Sequence, residues 1–204
     1  MHLSPQHQRI LLDAARQAIR AHLRGPSQSG SDRSSTSPGA RPVDDAALSQ
    51  VAGCFVTLHS RRTHELRGCV GRLDATEPLL AAVRRSAVNV LSDPRFQHDP
   101  VRLAELPELD IDVSVLSPLR PAPGPLAFDL LNEGVYLTWD ETRAGCFLPQ
   151  VARETGWSKE QLLSRLCVEK MGLPPTAWED PRAKLIVFTT LVIGPEPFVP
   201  DPHV

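Results

Sequence analysis

Twenty prolines spread through 204 residues set the first limit on this chain. Each one removes a backbone donor and fixes φ, and that many exclude a bundle of long helices. Twelve glycines add further breaks, so the chain is expected to fold as many short elements joined by punctuated loops. Much of the proline lies in three places: a stretch at 25–42, a connector at 118–125 and the tail after Gly194. The segments between them carry the pattern from which a core can be built.

Residues 4–24 read as an amphipathic helix. Ser4 can cap it and Pro5 suits its first turn. Ile10, Leu11, Ala14, Ala18, Ile19, His22 and Leu23 recur at helical spacing on one face, which makes His22 a packed histidine by expectation. The segment 25–42 is almost without apolar residues and is expected to be a flexible, Ser/Pro/Gly-rich surface insertion. From Gly53 the chain is densely patterned. Residues 53–58 alternate like a strand, and a polar turn leads to a second strand at 66–71, giving a hairpin. A helix is expected from Glu77, with Pro78 in its first turn, and an alternating strand follows at 109–115.

The second half repeats that order. Strands at 134–139 and 145–149 flank a turn; a helix capped by Ser158 and Gln161 runs to Gly172, and a final strand covers 185–195. Gly53 falls on Gly134, Cys69 on Cys146 and Leu109 on Leu185, with the offset drifting only from 81 to 76 residues. This predicts two similar strand–strand–helix–strand units, about 53–121 and 134–197, related by an internal duplication.

Composition narrows the partners. A net charge of −2 gives no basic footprint for a nucleic acid, and aromatics at 5% do not make a base-stacking surface. The N-terminus carries no secretory pattern, and no apolar run is long enough to span a bilayer. Four cysteines without a CxxC pair argue against a zinc ribbon or thioredoxin-type motif. A cytoplasmic protein with reduced thiols, no membrane contact and no metal site is expected.

The chemistry-bearing stretch is Leu66-Arg67-Gly68-Cys69-Val70-Gly71. Gly68 and Gly71 strip side-chain cover from Cys69, so a ligand or another backbone could approach closely. Arg67 offers a planar cation that could lower the thiol pKa, depending on strand alternation and on any bulge. Two readings stand: a nucleophile or ligand anchor, and a small buried hydrophobe in a tight hairpin. No base is placed beside the thiol, since His59, His64 and His98 all read as loop histidines. In Asp93-Pro94-Arg95-Phe96, the two charged residues could pair with each other, or Arg95 could clamp an anion. Gln150 is the second-half candidate, where its amide could meet a ligand, and Trp157 reads as a hydrophobic staple before the second helix. Nucleotide-binding, metalloprotease and serine-hydrolase signatures are absent.

LRGCVG, SDPRF, LPELDIDVSVLSP, GVYLTW, GCFLPQVARETGW and FTTLVIGPEPF occur in that order between about Ile10 and Phe198. Together they resemble the AMMECR domain family, whose microbial members are called AmmeMemoRadiSam system protein A. The insertion at 25–42 falls outside the usual pattern. The resemblance implies a single domain over 4–198, followed by a tail at 199–204. It further implies an α+β fold with a mixed or antiparallel sheet, an N-terminal helix and two subdomains meeting at a cleft. It points to Arg67, Gly68, Cys69 and Gly71 as a functional surface. It also implies a place beside a Memo-like metalloprotein and a radical S-adenosylmethionine protein, and it supplies neither a reaction nor a cofactor. The chain lacks a cysteine triplet for an iron–sulfur cluster and would not be the radical component. An accessory or small-ligand-binding role is therefore expected. The alternative is an enzyme using Cys69 as nucleophile in a cleft lined by Arg67, Asp93 and Arg95.

Overall fold

The computed structural model describes residues 3–25, 46–74 and 76–198. The expected insertion, apart from Gly25, and the tail at 199–204 lie outside the described residues. Helix α1 (Pro5–Arg24) starts where Ser4 accepts a bond from the His7 amide, and His7 Nδ1 accepts one in return from the Ser4 amide. This is a capping box closed by histidine instead of Glu or Gln. Its core face includes Leu11, Leu12, Ala15 and Ile19, but His22 is exposed in the last turn, against expectation. Among the described residues no helix is long and apolar enough to cross a membrane.

The chain forms two compact units, one reaching to Val115 and resuming at Val192, the other Leu116–Leu191. In the first, β1 (Cys54–Ser60) pairs antiparallel with β2 (Leu66–Arg72) and with β3 (Leu109–Leu116). A short helix, α2 (Ala46–Ser49), precedes this sheet, and α3 (Leu79–Asn89) connects β2 towards β3. The helix begins at Leu79 and not at Glu77, because Pro78 disfavours helical geometry in the residue before it and itself stands as the N-cap. Three 3₁₀ turns follow at Val90–Ser92, Pro94–Phe96 and Leu103–Glu108. One face of the sheet, with Val56, Leu58, Ile111 and Val113, packs with Leu11, Ile19 and Val83 into a dry core.

In the second unit β5 (Glu133–Thr138) pairs antiparallel with β6 (Ala144–Phe147) and with β7 (Lys184–Pro197), whose last residues belong to the first unit. The connector contributes a two-residue strand, β4 (Arg120–Pro121), also paired antiparallel with β7. The strand expected at 145–149 stops at Phe147, since Pro149 opens helix α4 (Pro149–Thr155). Helix α5 (Lys159–Met171) has the expected capping box of Ser158 and Gln161, and Gly172 ends it in the left-handed region. Leu137, Leu163, Leu166 and Val187 form its separate core, with Trp157 packed against it as expected.

The α+β class, the antiparallel sheet and the N-terminal helix match expectation. Both units also place the first strand of the hairpin between the second and the post-helical strand, in the orders β2-β1-β3 and β6-β5-β7. Their registers differ in detail. Thr57 faces Cys69, whereas Cys146 faces Tyr136, and Thr138 faces Ala144. Matching Thr57 to Thr138 therefore does not put the two cysteines in equivalent places.

Candidate functional site

The β1–β2 ladder runs regularly from Cys54–Arg72 to Leu58–Gly68 and then jumps to His59–Leu66. Arg67 is the extra residue at this jump, and such a bulge turns a side chain away from its regular direction. Its guanidinium makes a two-pronged bond to Glu105, at 2.6 and 3.0 Å, and also reaches the Asp99 carbonyl at 3.2 Å. With only 15% of its side chain exposed, Arg67 ties the hairpin to the turn at 99–105. The expected action of Arg67 on the thiol is thus replaced by an ion pair elsewhere.

Asp93 and Arg95 take the place next to Cys69. Asp93 Oδ2 accepts the Cys69 amide at 2.9 Å, and Arg95 Nη2 donates to the Cys69 carbonyl at 3.2 Å. The two side chains close on each other through Nε–Oδ1 at 3.0 Å and Nη2–Oδ2 at 2.6 Å. The geometry arises locally, since Asp93 also accepts the Arg95 amide and so caps the Pro94–Phe96 turn. Burial favours the protonated form of Asp93, yet the bonds from Arg95 and from the Cys69 and Arg95 amides outweigh it and bring the pKa down to about 2. Arg95 remains about half-exposed, with 51% of its side chain open to solvent. Phe96 is half-buried, and its ring lies 5.7–5.8 Å from the guanidinium carbons of both Arg95 and Arg67.

Cys69 is half-buried, and burial raises its pKa above the ordinary thiol value. The Thr57 hydroxyl, which donates to Sγ at 3.6 Å, and the charge of Arg95 oppose this without reversing it. The group is therefore a neutral thiol near pH 7. Gly68 lies on the opposite face, where a Cβ would stand 2.9 Å from the Val90 carbonyl. Gly71 is tighter still, with the Cys54 carbonyl oxygen only 2.1 Å from an added Cβ. Both glycines admit neighbouring protein backbone, which is one of the two approaches expected of them.

The hairpin and the turn after α3 thus bring together Arg67, Gly68, Cys69, Asp93 and Arg95. Gln150 belongs to the second unit, in α4, with its Oε1 buried and unpartnered among the described residues. His64 and His98 are exposed, as expected of loop residues. His59 is instead on β1, with Nε2 3.4 Å from Asp112 Oδ2. Sequence reasoning missed Thr57, Asp112 and Glu105, which meet these residues only across strands or loops. The alternation of Asp110, Asp112 and Ser114 against apolar neighbours was the available signal for Asp112.

The chain resembles proteins of several archaea over most of its length. A protein of Methanothermobacter thermautotrophicus is 36% identical over 195 residues, covering 91% of this chain and 93% of that one. Protein PF1979 of Pyrococcus furiosus is 33% identical over 202 residues, covering 92% and 87%. The crystal structure of the uncharacterised protein PH0010 of Pyrococcus horikoshii superposes with a TM-score of 0.77 at 30% identity, covering 93% of this chain and 92% of that one. The AMMECR1 family model matches residues 12–193, a span that takes in the β1–β2 hairpin, the Asp93–Arg95 turn and the second unit entire. On that match and these relatives, the chain belongs to the AMMECR1 family.

Proposed function

We propose that this protein is a ligand- and partner-binding component of a cytoplasmic modification pathway, acting beside Memo-like and radical S-adenosylmethionine proteins. Its contact surface is the β2 segment of Arg67, Gly68, Cys69 and Gly71 together with Asp93 and Arg95. The observation that carries this reading is the clamp on Cys69. Asp93 and Arg95 hold both polar groups of its backbone, and half of the Arg95 side chain stays open to solvent. A surface fixed in this way is pre-organised, which lowers the entropy cost of binding. The catalytic alternative is less well supported, because burial keeps the thiol neutral and Arg67 is engaged by Glu105. Cysteines without disulfide bridges agree with a reducing compartment.

Arg95→Ala tests the proposal against a purified Memo-type metalloprotein. The variant is expected to fold with a loss of about 1.5–3 kcal/mol, the scale of a hydrogen bond to a charged group, since its partner Asp93 is buried, and to lose the association seen with the wild type. Undiminished association by the folded variant would discard this surface.

A further inference from the structure

The face of the first unit's sheet opposite the apolar core carries polar side chains in register. Cys69 on β2, Thr57 on β1 and Asp112 on β3 stand in one row across the three strands. Ser114 occupies the next position of that face on β3, opposite Phe55. Thr57, Asp112 and Ser114 are all buried, with Ser114 only 1% exposed. A buried carboxylate or hydroxyl is costly unless it has hydrogen-bond partners. Asp112 has the His59 imidazole at 3.4 Å, while Ser114 Oγ finds no partner among the described residues. Thr57 gives its proton to Cys69 Sγ, which leaves its oxygen free to accept. The row therefore offers the Asp112 carboxylate and two hydroxyl oxygens as acceptors, with the Ser114 hydroxyl and Cys69 thiol protons as its remaining donors.

We propose that Asp112, Ser114 and Thr57, flanked by Cys69, form a binding floor for the protonated primary amine of a small organic molecule. An ammonium group carries three donors and one positive charge. Those donors match the Asp112 carboxylate and the two hydroxyl oxygens. Two neighbouring cations are already committed, Arg95 to Asp93 and Arg61 Nε to Asp110 Oδ1 at 3.3 Å, so the field here does not suit an anion. Among the described residues no three His, Cys, Asp or Glu side chains are grouped as metal ligands, which favours an organic cation. Cys69 and His59, at the border of the row, are only half-buried. This inference rests on reading the Cys69 surface as a ligand contact, and it names the chemistry that surface takes.

The test is a titration of the full chain, followed by its amide ¹H–¹⁵N spectrum, at neutral pH and constant ionic strength. The probes are n-butylammonium, butyrate and 1-butanol. Butylammonium is expected to shift the amides of Thr57, Cys69, Asp112 and Ser114 saturably, and the other two are not. Asp112→Asn should weaken that binding by about tenfold or more, the value of a hydrogen bond to a charged group. It should also leave the thermal midpoint unchanged or raised, because it removes a buried charge. Ser114→Ala, which keeps the charge, should weaken binding by a smaller factor. Equal shifts with butyrate or butanol would overturn the amine assignment, as would unchanged affinity in both variants. Either result leaves the Cys69 surface itself standing, since that reading falls only if folded Arg95→Ala keeps its partner.

Discussion

Asp93 is the residue on which the site turns. Four donors converge on its carboxylate: the Cys69 amide, the Arg95 amide, and Arg95 Nε and Nη2. Folding lowers its pKa from 3.8 to about 2. A depressed carboxylate stabilises the fold fully above its unfolded value, and that contribution drains away as pH falls through the folded one. The shift corresponds to about 2 kcal/mol. Wild type and Asp93→Asn, unfolded in urea between pH 5 and pH 2, should therefore converge by about that amount at the acid end. A gap independent of pH would refute this role. The Asp93–Arg95 pair was legible in the sequence because its members are two residues apart and Pro94 fixes the turn between them. The partner of Arg67 was not. Glu105 lies far along the chain, and the bulge that aims Arg67 at it depends on cross-strand register, which periodicity does not reveal.

At the scale of elements, two glycines decide whether the hairpin can close. An added Cβ at Gly71 would meet the Cys54 carbonyl at 2.1 Å and Phe55 Cα at 2.5 Å, both backbone atoms that cannot rotate away. Gly68 faces the Val90 carbonyl and a Val90 methyl at 2.9 Å. Gly71→Ala is expected to destabilise by about 3 kcal/mol or more and Gly68→Ala by about 1–3 kcal/mol, with urea midpoints giving the order. Equal tolerance at both positions would contradict the packing described. For α5, Ser158→Ala should cost about 1 kcal/mol, because the Gln161 amide loses its acceptor. That cap was legible from its Ser-x-x-Gln spacing. The α1 cap was only half legible, since a histidine at the third position carries no such signal. Helix α4 was missed although Pro149 and Gly156 mark its ends, because seven residues hold too little helical periodicity to show.

Across the whole molecule, the repeated strand–strand–helix–strand order was readable because each unit alternates its own apolar residues. The register was not readable, and it separates the two cysteines: Cys69 faces a threonine and Cys146 a tyrosine. Each unit has its own core, so Leu58→Ala in the first and Leu163→Ala in the second should each cost about 2–5 kcal/mol. The polar row of the first unit escaped sequence reasoning for the same reason as the register, since Cys69, Thr57 and Asp112 lie on three different strands. As proposed above, Cys69 belongs to a pre-organised contact surface as a neutral thiol and is not poised to attack. Its reaction rate with iodoacetamide at neutral pH, followed by peptide mass spectrometry, tests this directly. In the folded protein Cys69 should react more slowly than in the unfolded chain, because burial raises its pKa. A rate in the folded protein above that of the unfolded chain would mean an activated thiolate and restore Cys69 as a nucleophile.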